Sequence, residues 1–157
     1  MSTTHHGHHR RRSVLGAALG LPAALTVGGL AAASPAAAAP GTVDAGAWTP
    51  LVLEPAVTPN PGAAPEVRLV TIAGTTFLQA RGLISGNLTG DLRIGRLADG
   101  FTPPTSHVRA TATRNNSQGV NACRFEINPA GSVTLFGATT GNPITWAQFD
   151  SVQTVWH

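Results

Sequence analysis

The sequence predicts an all-β protein: a single small antiparallel β-sandwich of about seven or eight strands, jelly-roll-like, preceded by a signal peptide. Three observations support this. From Glu66 onward, short segments alternate apolar and polar residues, as strands with one buried face do. Turn signals separate these segments, and Thr and Val are abundant. No stretch of 11 residues carries an apolar stripe at helical spacing.

Residues 1–39 have the composition of an export signal. Arg10-Arg11-Arg12-Ser13-Val14-Leu15 opens a run of apolar and small residues, and Ala36-Ala37-Ala38 offers an Ala-Xaa-Ala cleavage site. Arg11 and Arg12 with the residues after them resemble a twin-arginine signal, which is read for export of folded proteins. We therefore expect a secreted bacterial protein that meets the membrane only transiently, through its signal.

A retained membrane anchor is the alternative, because residues 14–33 are long enough to span a bilayer. This segment contains only five Leu and two Val, and Gly and Pro interrupt it, so it is weakly apolar for a stable span. A cleavable signal is therefore the favoured interpretation. A lipoprotein anchor is excluded, since no Cys lies near the cleavage site.

The net charge of +3 comes entirely from the predicted signal. Arg10, Arg11 and Arg12 supply the excess, and the remaining chain has seven Arg against seven Asp and Glu. Binding to nucleic acid needs several cationic groups on one face. No Lys/Arg cluster follows the signal, so nucleic acid is not expected as a partner.

The mature chain is predicted to be one domain with an N-terminal arm. Residues 40–65 are rich in Pro and form the arm, with a first strand near Trp48–Leu53. Residues 66–157 form the β-sandwich, whose other predicted strands are Glu66–Ile72, Thr76–Ile84, Ser106–Thr113, Val120–Asn128, Ser132–Phe136, Ile144–Phe149 and Val152–Trp156. Apolar residues on both sides of Glu66–Ile72 predict burial of both faces. Ile72–Thr75 and Asn128–Gly131 are predicted hairpin turns.

The order of short motifs resembles a known family. Trp48-Thr49-Pro50-Leu51 comes first, followed by Arg81-Gly82-Leu83-Ile84 and then Leu97-Ala98-Asp99-Gly100-Phe101-Thr102-Pro103-Pro104. The hairpin around Asn128–Gly131 and a closing Phe149-Asp150-Ser151-Val152 complete the order. This order resembles the C-terminal β-sandwich of phage tail-fibre and related phage structural proteins, over residues 48–156. The resemblance implies a non-enzymatic domain that is often trimeric and recognises a cell surface, commonly a glycan.

Catalytic chemistry finds little support in the sequence. No Gly-Xaa-Ser-Xaa-Gly elbow is present, and Cys123 alternates with Phe125 and Ile127, which predicts a buried inert thiol. The acids are interpreted as turn formers or solvated charges, with Glu126 facing outward beside Arg124. The His5-His6-Gly7-His8-His9 cluster could bind a metal as a peptide, but it lies on the discarded side of the cleavage site. No metal-ligand spacing occurs after the signal, so neither a cofactor nor a metal is expected. The protein is predicted not to be an enzyme.

The candidate ligand-binding residues are aromatic or lie on polar strand faces. Trp rings stack on sugars, and the chain has no Tyr that could bind a sugar in the same way. The candidates are Trp48, Trp146, Trp156, Arg81, His107 and Arg109. For the three Trp, the alternative is a place in the core or in a subunit interface.

Three hypotheses follow for the function. The first is a secreted module that binds a glycan or a cell-envelope ligand. The second is a structural component of an extracellular particle or envelope, built through a large apolar subunit interface. The third is a small secreted hydrolase, which needs two acids, or His107 and an acid, to converge in a pocket.

Overall fold

The computed structural model describes residues 41–157, so the predicted signal peptide, with Arg11 and Arg12, lies outside the described residues. Within them, the regular secondary structure is β, and no helix there has the length and apolarity to cross a membrane. The strands of this part of the chain are β1 (Val43–Ala45), β2 (Thr49–Pro50), β3 (Val52–Leu53), β4 (Val57–Pro59), β5 (Glu66–Ile72), β6 (Thr75–Arg81), β7 (Leu83–Leu88), β8 (Leu92–Arg96), β9 (Val108–Ser117), β10 (Val120–Ile127), β11 (Ser132–Phe136), β12 (Ile144–Gln148) and β13 (Gln153–Val155).

The strands form two antiparallel sheets. The first has the order β1-β5-β6-β13, with β2 also pairing with β5, and we call it the five-stranded sheet. The second has the order β3-β8-β11-β10-β9-β12-β7-β4, and we call it the eight-stranded sheet. The predicted all-β fold is thereby confirmed.

The described chain has 13 strands where the sequence predicted about seven or eight. Most of the additional strands are short and lie in the Pro-rich segment, where β1 and β2 pair with β5 while β3 and β4 pair with strands of the other sheet. The Pro-rich segment therefore contributes edge strands to both sheets. Alternation could not reveal them, since strands of two or three residues have no measurable period.

One hydrophobic core lies between the sheets. Val67 and Leu78 of the five-stranded sheet share a single buried cluster with Phe125 and Leu135 of the eight-stranded sheet. The rings of Phe125 and Phe149 pack with their centroids 5.4 Å apart. On β5, Val67 and Val70 are buried on opposite faces, as predicted, but Ile72 at the strand end is exposed.

The two predicted hairpins are confirmed in detail. Ala73 and Gly74 both have positive φ, the geometry of a two-residue type I′ turn between β5 and β6. The Asn128 side-chain Oδ1 accepts hydrogen bonds from the backbone N–H groups of Ala130 and Ser132, and Gly131 follows in the left-handed region. A third tight turn at Gln118–Gly119 extends β9 beyond its predicted end at Thr113.

This extension buries Arg114, which is only 1% exposed. Its guanidinium donates to the backbone carbonyls of Gly137, Asn142 and Pro143 and to the Asn142 side chain. Both terminal nitrogens of the guanidinium are satisfied, which offsets part of the cost of burying the charge, while the buried Nε has no hydrogen-bond partner. Arg114 therefore fixes the loop between β11 and β12 against β9.

Gly82 carries the chain from the five-stranded sheet to the eight-stranded sheet as the single residue between β6 and β7. It adopts φ +99°, and a Cβ atom at this position would lie 2.5 Å from the carbonyl oxygen of Ala64. The next residue, Leu83, donates its N–H to the Ala63 carbonyl at 2.8 Å. Only glycine lets the two backbones approach this closely at this dihedral.

Asp150 holds the same crossing from the other side. Its Oδ1 accepts the Gly82 N–H at 2.9 Å, and its Oδ2 accepts Nε2 of Gln148 at 2.6 Å. The Phe149 N–H in turn donates to the Gly82 carbonyl at 2.8 Å. The hydrogen bond from Gly82, followed by that from Gln148, lowers the pKa of Asp150. The Arg-Gly-Leu-Ile and Phe-Asp-Ser-Val motifs thus meet at one backbone junction.

Replacing Gly82 by Ala is expected to lower the free energy of unfolding by about 2–4 kcal/mol, because it adds a steric overlap and an unfavourable φ. Urea denaturation followed by Trp fluorescence measures this change. Gly90→Ala is the matched control, since a Cβ there would meet no atom within 4 Å. Equal stability of the two variants would contradict the close approach at Gly82.

Asp150→Asn is expected to remove part of the pH dependence of stability. Because the folded-state pKa of Asp150 lies below its unfolded value, this carboxylate stabilises the fold above about pH 4 and loses that effect as the pH falls through the folded pKa. At pH 7 the free energy of unfolding of the variant should be about 1 kcal/mol lower than that of the parent, a small effect because solvent screens the exposed carboxylate. This difference should shrink towards pH 2.

Denaturation curves at pH 7 and at low pH measure the effect, with Asp44→Asn, at an exposed strand residue, as the control. A difference between Asp150→Asn and the parent that stays constant with pH would contradict the assignment.

Candidate ligand-binding site

Trp48 lies over the outer face of the five-stranded sheet. It immediately precedes β2, whose pairing with β5 places Thr49 opposite Val67 and Pro50 opposite Glu66. The guanidinium carbons of Arg68 and Arg81 lie 4.4 and 4.3 Å from the centroid of the indole ring system. Each such cation–π contact at a partly exposed site contributes about 0.5–1 kcal/mol. The structure therefore brings together two of the predicted site residues, Trp48 and Arg81.

Cross-strand partners hold the two guanidinium groups. β5 and β6 pair Glu66 with Arg81 and Arg68 with Gln79. Arg81 Nε donates to Glu66 Oε2 at 2.7 Å, and Arg68 Nε donates to Gln79 Oε1 at 2.9 Å. Both hydrogen bonds use the guanidinium Nε, so the side chain across the strand pair holds each guanidinium in place. Sheet register thus builds an ordered patch of planar polar groups beside the indole.

Two clefts adjoin beside this patch, and Arg81 and Asp150 line both of them. The larger encloses about 620 Å³, and Glu66 and Gln148 are among its other lining residues. The smaller encloses about 220 Å³ and has Trp48 in its wall. We name the two clefts together the Trp48 groove. The groove combines an aromatic surface, two carboxylates, a guanidinium and three carboxamides.

A second polar cluster lies on the outer face of the eight-stranded sheet, around Glu126. Glu126 Oε1 is 3.0 Å from His107 Nδ1, and Glu126 Oε2 accepts Arg109 Nε at 2.7 Å. Arg124 Nε lies 3.5 Å from the same Oε2. We name these four residues the Glu126 cluster. The predicted candidates His107 and Arg109 are thus brought together, on a carboxylate that the sequence did not single out as a site residue.

The prediction that Glu126 is a solvated charge is wrong, because the residue is only 7% exposed. It faces outward, as expected, but Arg109, His107 and Arg124 surround it. Burial acts to raise the pKa of Glu126, and the hydrogen bonds from His107 and Arg109 outweigh that effect, so the pKa is lowered. The pairing Glu126↔Arg109 across β9 and β10 is the long-range feature that decides this outcome.

The other two tryptophans line neither cleft of the Trp48 groove. Trp146 is half-buried on β12, opposite Ser85 of β7. Trp156 is half-buried against the core and meets Phe101 in an edge-to-face contact with ring centroids 5.8 Å apart. The predicted alternative, a packing role, fits Trp156.

The pairs of residues that the hydrolase hypothesis required do converge, but Asp150 and Glu126 lack the raised pKa of a general acid. Glu66 and Asp150 line one cleft, and His107 contacts Glu126. A catalytic acid needs a raised pKa, whereas the pKa values of Asp150 and Glu126 are lowered. Burial raises the pKa of the Cys123 thiol to about 11, which keeps it protonated. Among residues 41–157, no three His, Cys, Asp or Glu side chains are close enough to hold a metal ion.

Comparison with known proteins gives a likeness in structure only. No protein-family model matches the sequence, and no curated protein matches it. A solved structure, the receptor binding protein of Listeria phage PSA, matches 75% of this chain and 67% of its own chain, with a TM-score of 0.50 and 12% sequence identity. At that identity the likeness concerns the fold. The described chain therefore shares an all-β fold with this phage protein.

Proposed function

We propose that the protein is a non-enzymatic binding module that recognises a saccharide of a cell surface through the Trp48 groove. The observation that carries this proposal is the placement of Trp48 and Arg81 in adjoining clefts with Asp150. The resemblance to phage tail-fibre domains and the fold shared with a phage receptor binding protein support the same class of function.

The chemistry of the groove suits a saccharide. A sugar ring has an apolar face that packs on an aromatic ring and a rim of hydroxyls that both donate and accept hydrogen bonds. The indole of Trp48 offers the aromatic surface, while Asp150 and Gln148 offer planar acceptors and donors. An ionised carboxylate has about four acceptor positions, so Asp150 can accept from ligand hydroxyls besides Gly82 and Gln148.

A non-catalytic role is supported by the charge state of the groove. Asp150 is held ionised by the Gly82 N–H, and Glu66 is paired with Arg81. Both carboxylates are therefore engaged by protein donors, and they can orient a ligand as hydrogen-bond acceptors.

A second candidate function, a structural subunit, is favoured by an apolar patch. Three of the five large hydrophobic residues exposed in residues 41–157, Val43, Ile72 and Val155, lie on the outer face of the five-stranded sheet. Exposed apolar residues gathered on one face are typical of contact surfaces. A homo-oligomer, as in the trimers that the family resemblance implies, would cover this face.

The saccharide proposal is tested by a glycan array on the folded protein, followed by calorimetry with the best glycan. Trp48→Ala is expected to weaken binding about five- to thirty-fold, because stacking on an aromatic ring contributes about 1–2 kcal/mol. Trp146→Ala is the matched control: it removes another half-buried Trp, on the other sheet, and should leave the affinity within about two-fold.

Absence of binding to any glycan by the well-folded parent would overturn the saccharide proposal. Sedimentation velocity on the same sample separates the two candidates, since a self-associating protein without glycan binding supports the structural subunit. Equal weakening by both Trp variants would remove the Trp48 groove from the proposal.

We also propose that the module works outside the cell, on the strength of the twin-arginine-type pattern around Arg11 and Arg12. Fusing residues 1–45 to a reporter that folds before export should direct the reporter out of the bacterial cytoplasm. Changing Arg11 and Arg12 together to Lys should abolish that export while keeping the charge. Continued export of the double variant would refute the twin-arginine assignment.

A further inference from the structure

A separate cleft of about 590 Å³ lies on the outer face of the eight-stranded sheet, across β9, β10 and β11. Arg109 and Arg124 line it together with Thr111, Ala122 and Phe136. The strand register places Arg124 between Thr111 on one side and Phe136 on the other. The walls are therefore apolar except for two guanidinium groups and a hydroxyl.

Positively charged side chains outnumber negatively charged ones around this cleft. Arg109 and Arg124 share the single carboxylate of Glu126, so these three groups together carry a net charge of +1. Elsewhere in residues 41–157, Arg81, Arg93 and Arg96 each have a carboxylate partner of their own. The Glu126 cluster is thus the place in the described chain where two arginines contact one acid.

The contacts with Glu126 leave the outer ends of both arginines available. Arg109 and Arg124 each approach Glu126 Oε2 through Nε, at 2.7 and 3.5 Å. A guanidinium has five N–H donors, and four of them are on the two terminal nitrogens. The side chains of Arg109 and Arg124 are 57% and 49% exposed, so these donors are accessible from the cleft.

Both guanidinium groups are also held in place before any ligand arrives. The buried carboxylate of Glu126 fixes Arg109, and the ring of Phe136 supports Arg124, whose guanidinium carbon lies 3.9 Å from the ring centroid. Ordered donors lose less conformational entropy on binding than mobile side chains do. Paired guanidinium groups match the geometry of carboxylate and phosphate oxygens.

We propose that Arg109 and Arg124 form a binding site for an anionic group, the carboxylate of an acidic sugar or a phosphate, distinct from the Trp48 groove. Glu126 orients the two arginines and holds the site at a low net positive charge. Phe136 and Ala122 supply the apolar wall on which the uncharged part of the ligand packs.

The test is an NMR titration of the full chain, which monitors the arginine Nε–H signals at constant ionic strength. The probes are inorganic phosphate, glucuronate and glucose. The Arg109 and Arg124 signals should shift in a saturable manner with phosphate, glucuronate or both, and should remain unchanged with glucose. Comparing the shifts caused by phosphate with those caused by glucuronate shows whether the site prefers a phosphate or the carboxylate of an acidic sugar.

The double variant Arg109→Gln/Arg124→Gln should weaken anion binding at least about ten-fold, the loss expected for removing charge-assisted hydrogen bonds. Arg93→Gln/Arg96→Gln is the matched control, because it makes the same change in charge at arginines that have their own acids. The control should bind within about two-fold of the parent, as should Trp48→Ala.

Absence of a saturable shift at both arginines in the unmodified protein would overturn the proposal, and this result does not depend on the folding of any variant. Equal weakening by the control pair would overturn it too, since that would reflect net charge alone. Because Trp48→Ala leaves this site intact, failure of the saccharide proposal and failure of the anion site are distinguishable.

Discussion

Gly82 carries the chain from β6 in the five-stranded sheet to β7 in the eight-stranded sheet without any intervening loop, and this tight crossing fixes where the two longest-range elements of the groove meet. The φ of +99° and the approach of the Ala64 carbonyl leave no room for a side chain at that position. The Asp150 carboxylate accepts a hydrogen bond from the Gly82 N–H, and the Phe149 N–H donates one to the Gly82 carbonyl. The Trp48 groove lies beside this crossing, so the same carboxylate serves the fold and the proposed ligand.

Arginine placement distinguishes the two faces of the molecule. The described chain is formally neutral, yet its seven arginines have different environments. Arg114 is buried and bound to backbone carbonyls, Arg68 and Arg81 contact Trp48, and Arg109 and Arg124 share Glu126. Cation–carboxylate pairs at a surface contribute little to stability. Their ordered geometry matters more for recognition, because fixed planar donors bind a ligand at a lower entropic cost.

Much of the fold could be predicted because its signals are local. Alternation gave the bounds of Ser132–Phe136 as the structure has them, and the apolar run gave those of Glu66–Ile72. The Asn128–Gly131 turn follows from Asn and Gly at the positions that its hydrogen bonds require. Alternation also placed Cys123 inside. It failed at β8, where the apolar residues Leu92 and Ile94 are followed by Gly95, which packs against the Val52 carbonyl. It also merged β6 with β7, because the period of a strand does not reveal a change of sheet at one glycine.

The sequence alone determined the all-β class, the main hairpins and the set of residue types available for a site, since each depends on neighbours within a few positions. Tertiary structure decided which of these residues meet. Trp48 contacts Arg81 and His107 contacts Glu126 across long chain separations, whereas Trp146 and Trp156 line neither cleft of the Trp48 groove. The physical reason is that alternation specifies which face a polar residue occupies. Strand order and register then specify its partner, and they arise only when both sheets pack on one core.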